Sequence, residues 1–202
     1  MKISATSAAE RRALDRQLDV QHAACELVIE HGYDGFTMDQ LAEKVGVSRR
    51  TLFNAVRDKE SAVLGPKDDI DCHPALATFQ DAEPSPEPFR DVIEFVRDIM
   101  VDVVSDHPRA LECHRLVEQA IAADPKMQQL INDRFSIITE LAAKLISGRQ
   151  NWSEDDLRAR VMARTLLALI QVCLDEFAQD DRAISEVFDD VVDAYWASVR
   201  PA

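Results

Sequence analysis

The sequence predicts an all-α protein, and three observations carry that expectation. Apolar residues recur at i, i+3, i+4 and i+7 along most of the chain, the spacing of one buried helix face. No stretch alternates apolar and polar residues as a half-buried strand does, and there is neither an internal repeat nor a Gly-rich phosphate loop. Only five glycines occur in 202 residues, 47% of which are hydrophobic, a composition suited to a helix-rich core. That length allows one large or two small domains.

In chain order, residues 1–9 read as a tail. A first helix follows from Glu10 to about His31, with Val20, Ala24, Leu27 and Val28 on one face and Gly32 as its C′ residue. Thr37 and Gln40 have the spacing of a capping box for a helix carrying Met38, Leu41, Ala42 and Val45. Gly46 supplies a turn at little conformational cost. Ser48 caps the next helix, which runs to about Val56 with Leu52 and Val56 inward. Asp58 caps a further helix with Lys59 at its first position. Residues 65–88 hold five of the eight prolines and read as a partly ordered connector with a short helix around Pro74–Asp81. Helical periodicity returns over Phe89–Asp106, Pro108–Asp124 and Pro125–Gly148, two of these opening on proline at N1. Ser153 is expected to cap a helix from Glu154 to about Gln179, and the last helix spans about Ala183–Val199.

Two short helices about a tight turn, behind a supporting first helix, make a helix-turn-helix pattern. The second short helix keeps Arg49, Arg50, Thr51, Phe53 and Asn54 off its inward face. Arginines at that place suit a major groove, where a guanidinium pairs with guanine O6 and N7. Threonine and asparagine at the margin suit phosphates, which set register without reading sequence. Lys59, at a helix start with its backbone N–H groups, is a candidate phosphate clamp. Arg11, Arg12 and Arg16 serve equally well as groove contacts or as a solvated helix end.

The run GYDGFTMDQLAEKVGVSRRTLFNAVRDKESAVLG resembles the N-terminal DNA-binding domain of the TetR family of bacterial transcriptional regulators. The resemblance extends from about Leu14 to Leu64, roughly a quarter of the chain. It rests on register: Gly32-Tyr33, Thr37, the Leu-Ala pair, Gly-Val-Ser, Thr-Leu-aromatic and Lys-Glu all fall in place. It implies a DNA-binding set of Thr37, Ser48, Arg49, Arg50, Thr51, Phe53, Asn54 and Lys59. Of these, Arg49, Arg50 and Phe53 would face bases, and Thr37, Thr51, Asn54 and Lys59 would face phosphates. The family usually has tyrosine where this chain has Phe53, so a phenolic hydrogen bond is lost there.

The resemblance further implies a three-helix head at 10–65 and a C-terminal helical ligand-binding and dimerisation bundle at 66–202. Residues expected to line a ligand pocket are Met100, Val104, His107, His114, Phe135, Ile138, Met162, Leu166 and Gln171. The last two helices are apolar over much of their circumference, as central or interfacial helices are. Leu169, Val172, Phe177, Val187, Val191 and Tyr195 are therefore expected at a homodimer interface. The partners implied are palindromic double-stranded operator DNA and a small, largely apolar effector that releases a repressor from it.

The net charge of −14 argues against indiscriminate nucleic-acid binding. Nine Lys/Arg stand against ten Asp/Glu up to residue 65, and fourteen against twenty-seven after it. The acid thus lies in the C-terminal part, and any DNA affinity should depend on docking geometry and fall steeply with salt. Cys25, Cys72, Cys113 and Cys173 show no CxxC pair and read as reduced thiols. Cys72-His73 and Cys113-His114 offer metal ligands, but helical neighbours point about 100° apart and chelate poorly alone. Acids and histidines lack a nucleophile–base spacing, so no enzyme activity, cofactor or metal is expected. No apolar run approaches the roughly 18 residues of a membrane span, and no apolar leader opens the chain, so a cytoplasmic protein is expected. The rival reading is an acidic helical ligand-binding or interaction protein with a degenerate DNA-binding head.

Overall fold

The computed structural model describes residues 8–65, 74–106, 109–177, 179 and 182–199. Every regular element among them is helical, as expected. The elements are α1 (Ala8–His31), a 3₁₀ turn (Tyr33–Gly35), α2 (Met38–Val45), α3 (Arg49–Ala55), α4 (Lys59–Leu64), α5 (Pro74–Gln80), α6 (Pro88–Asp106), α7 (Arg109–Ala123), α8 (Pro125–Arg149), α9 (Leu157–Phe177) and α10 (Ile184–Val199). Packing divides the chain into two compact units, Met1–Ile70 with Arg109–Asn132 and Asp71–Pro108 with Asp133–Ala202.

The first unit is built on α1. Ala24, Cys25 and Val28 of α1, Leu41 of α2, Leu52 of α3 and Ala62 and Val63 of α4 are all but sealed from solvent in one cluster. Ala120 of α7 and Met127 of α8 belong to the same cluster, both fully buried. The core around α1 therefore includes residues from the C-terminal side of the 65/66 division that the resemblance implies. The reason is the apolar stripe of α7, whose Leu116, Val117 and Ile121 pack against that cluster.

One side chain closes this unit. Asp124 precedes α8, and its Oδ1 accepts the Lys126 backbone N–H at 2.8 Å, capping the helix. Its Oδ2 accepts the Tyr33 N–H at 2.6 Å, at the end of α1. Lys126 adds an ion pair to Asp34 at 2.7 Å. Gly32 makes the close approach possible: its φ of 78° is left-handed, and a Cβ there would lie 3.2 Å from Asp124 Oδ2.

In the second unit, α10 packs against both α9 and α6. Leu166, Cys173, Val187 and Phe188 are buried in it. Arg97 of α6 donates two bonds to Asp189 of α10, at 2.5 and 2.7 Å. Phe89 meets Tyr195 and Trp196 edge-on at 5.7 and 6.1 Å. At the end of α8, Arg149 donates to Asp91 at 2.6 Å and covers the Phe79 ring at 4.4 Å.

Several helix ends differ from the sequence reading, among them the start of α1 at Ala8, and two have a local cause. The helix expected to start at Glu154 starts at Leu157, because Asp156 and not Ser153 is its cap: Asp156 Oδ1 accepts the Arg158 N–H at 2.9 Å. The helix expected to stop at Gly148 runs to Arg149, and the left-handed residue that ends it is Asn151, φ 54°. The short helix around Pro74 is present as α5. Cys72, His73 and His107 lie outside the described residues, as does most of the early part of the connector.

Candidate nucleic-acid interface

The helix-turn-helix is held by local chemistry that the sequence specifies. Thr37 Oγ1 accepts the Gln40 N–H at 3.3 Å while Gln40 Oε1 accepts the Thr37 N–H at 2.8 Å, a complete capping box. Gly46 takes φ 75° at the end of α2, and Val47 N–H returns to Ala42 O at 2.9 Å. Ser48 Oγ accepts the Thr51 N–H at 3.1 Å and starts α3. Leu52 and Val56 anchor α3 in the core. Asp58 Oδ1 accepts the Ser61 N–H at 2.7 Å and starts α4.

With Leu52 inward, Arg49, Arg50, Thr51, Phe53 and Asn54 all face solvent, and so do Thr37 and Ser48. The structure thus brings seven of the eight expected DNA-binding residues to the exposed side of α2 and α3. The Ser48 and Thr51 hydroxyls lie 2.7 Å apart, so each has a partner within the turn. Arg49 reaches back to α2, where its Nη1 donates to Asp39 Oδ2 at 3.2 Å. Its guanidinium carbon also lies 5.6 Å from the Phe53 ring centre.

Lys59 departs from the expected phosphate clamp. Its ammonium is turned inward, donating to the Phe36 carbonyl at 2.5 Å and lying 4.0 Å from the Phe36 ring centre. Tyr33 supplies a second ring at 5.1 Å. Desolvation in this aromatic cradle pushes the ammonium below the ordinary lysine value. Position at a helix start marked Lys59 as a cation near phosphate, but the rings come from a turn more than twenty residues earlier.

The residues expected around a ligand pocket do not form one set. Met100 on α6, Phe135 and Ile138 on α8 and Met162 on α9 are half-buried, and Leu166 is buried. Gln171 is exposed on α9. His114 on α7 is half-buried, with Nε2 3.3 Å from Glu118 Oε1 one turn on. The Val104 side chain, like His107, lies outside what the structure describes. A groove of about 460 Å³ opens instead between α6 and α10, bounded by Arg90, Arg97, Phe188, Asp189 and Trp196. None of the expected pocket residues lines it.

The residues expected at a dimer interface differ in how much surface the single chain leaves them. Leu169, Phe177 and Val187 are 8%, 9% and 1% exposed within the single chain, so they have almost no surface left to bury. Val191 and Tyr195 are half-buried, whereas Val172 is 47% exposed. Leu157 and Val161, outside the expected interface set, are 67% and 56% exposed on the same helix as Val172. Their spacing of four residues was the available signal. Burial pushes the Cys25 thiol up to about 12 and the Cys173 thiol up to about 11, as inert structural cysteines require.

Comparison with known proteins defines the class first. Residues 21–61 match the family model of bacterial regulatory proteins of the tetR family, which covers all of α2 and α3. The chain is 29% identical over 191 residues to the HTH-type transcriptional regulator TcmR of Streptomyces glaucescens, covering 88% of this chain and 80% of that one. It is 24% identical over 176 residues to the Mycobacterium tuberculosis regulator MftR, named for mycofactocin biosynthesis, covering 84% of this chain and 86% of that one. A solved Clostridium perfringens protein, named for the regulation of fatty acid metabolism, has the same fold. Its TM-score is 0.50 at 18% identity, over 91% of this chain and all of that one. Residues 21–61 thus match the DNA-binding domain of tetR-family regulators, and over most of its length the chain is similar to transcriptional regulators. Among the described residues no helix is long and apolar enough to cross a membrane.

Proposed function

We propose that this regulator represses transcription by occupying a palindromic operator as a homodimer, and that a small, largely apolar effector releases it. The observation carrying DNA readout is α3, a capped and anchored helix whose whole outer face is Arg49, Arg50, Thr51, Phe53 and Asn54. Residues 10–65 read DNA and residues 66–202 bind the effector and dimerise. The dimer surface we assign is the outward stripe Leu157, Val161 and Val172 of α9, which costs free energy while it faces water. An effector acts only through its differential affinity for the states with heads matched or mismatched to the two half-sites.

A titration against duplex DNA from beside the gene, at two salt concentrations with excess competitor, tests the proposal. Tight, competitor-resistant binding to a palindrome is the expected result, weakened by a small apolar molecule while the dimer persists. Binding that modest salt abolishes would instead favour the acidic interaction protein with a degenerate head. A palindrome bound tightly under every small molecule tried would sink the effector half of the proposal alone.

A further inference from the structure

Asp39 sits on the reading side of the head and has no evident use there. It is the second residue of α2, and both its carboxylate and the Arg49 guanidinium are about two-thirds exposed. An ion pair so open to water adds little to stability. A carboxylate on a face that must approach phosphates also opposes binding to DNA of any sequence. As an acid in the first turn of α2 it also suits the helix dipole, but any carboxylate there would do so, and the dipole does not account for its contact with Arg49.

Its geometry supplies a use. Asp39 Oδ2 takes the Nη1 donor of Arg49 at 3.2 Å, while the Phe53 ring lies 5.6 Å from the guanidinium carbon, one turn along α3. The guanidinium is thus held from two directions, by a carboxylate on one helix and a ring on the next. A long arginine otherwise samples many rotamers, and its planar fork reads a base only when the plane is fixed. The Nε–Nη2 edge, opposite the Asp39 contact, is a fork of the kind that pairs with guanine O6 and N7.

We propose that Asp39 is a positioning residue for sequence readout, which aims the Arg49 guanidinium at one guanine in each half-site. The inference rests on α3 being the DNA-reading helix, and it adds a residue of α2 to the specificity of that helix. Asp39 trades affinity for discrimination: it weakens contact with all DNA and sharpens choice at one base pair.

Selection of bound sequences from a random duplex pool, followed by titration of single-base variants, tests this with the full-length protein. Wild type is expected to prefer guanine at one position per half-site by about tenfold or more. Asp39→Ala should cut that preference to a few-fold, at the same base pair that Arg49→Ala affects, and should bind non-cognate duplex more tightly than wild type. Asp39→Glu should restore part of the preference, and adding Asp39→Ala to Arg49→Ala should change specificity no further. A damaged fold would weaken every position alike, so a loss spread over all positions overturns the proposal. Unchanged guanine preference in Asp39→Ala, or a loss at a different base pair, overturns it while leaving DNA reading by α3 intact. A wild-type protein that selects no motif at all overturns both.

Discussion

Leu52 is fully buried under α3 while Arg49, Arg50 and Thr51 beside it face water, so seven residues carry both an anchor and a reading surface. Leu52→Ala should cost roughly 2–5 kcal/mol of stability, measured by urea unfolding, because the closed core around it collapses only in part. Arg50→Ala should leave unfolding unchanged and cost about 1–3 kcal/mol of operator binding, with specificity relaxed at one base pair. At this scale the caps were legible in the sequence, since Thr37, Ser48 and Asp58 act on backbone within three residues of themselves. The surroundings of Lys59 and the exposure of Gln171 and Val187 were not. Periodicity says which residues share a face, but not which neighbour that face meets. The aromatic rings that hold Lys59 lie outside any local window.

Elements show the same division between local and distant causes. The capping box of α2 should make Thr37→Ala cost about 1 kcal/mol in unfolding. Helix periods and the start of α8 at Pro125 were readable, because proline and apolar spacing act locally. The second role of Asp124 was not readable, because its partner Tyr33 is ninety-one residues away. Backbone N–H bonds from Tyr33 and then Lys126 hold the Asp124 carboxyl below its ordinary value. A group lowered on folding stabilises the native state above its unfolded value, and that contribution is lost as pH falls through the folded one. Stability of wild type should therefore decline as pH is lowered through and below the usual carboxylate range. Asp124→Asn should lower the melting temperature at neutral pH and flatten this acid limb. The amide offers one accepting oxygen to two donors and brings its own N–H against one of them. An acid limb unchanged by the substitution would count against this account.

For the molecule as a whole, the proposed dimer turns on the outward apolar stripe of α9, which lies among the exposed Arg158, Arg160 and Arg164. In that proposal a second copy covers it with the same stripe by two-fold symmetry. Val161→Asp should shift sedimentation toward the monomer and weaken binding to a palindrome far more than to a half-site. A dimer of undiminished stability in that variant would place the interface elsewhere. The helical class and the helix-turn-helix were legible from sequence, but which apolar residues of α9 stay exposed was not. Apolar periodicity counts Val187 and Val172 alike, and only packing separates the one spent inside the chain from the one left outside.

The completion of the head by Ala120, Met127 and Asp124 also sets an order in time. A chain leaving the ribosome presents α1 to α4 first, with the cluster around Cys25 and Val63 still open on the side that α7 and α8 will cover. At about 5–20 residues per second, the missing wall arrives roughly 3–12 s after Leu64 has been added. For that interval α3 already rests on α1 and α2, while the face of α1 that meets α7 is still uncovered. More than half of the chain must therefore exist before the core cluster of the first unit is complete.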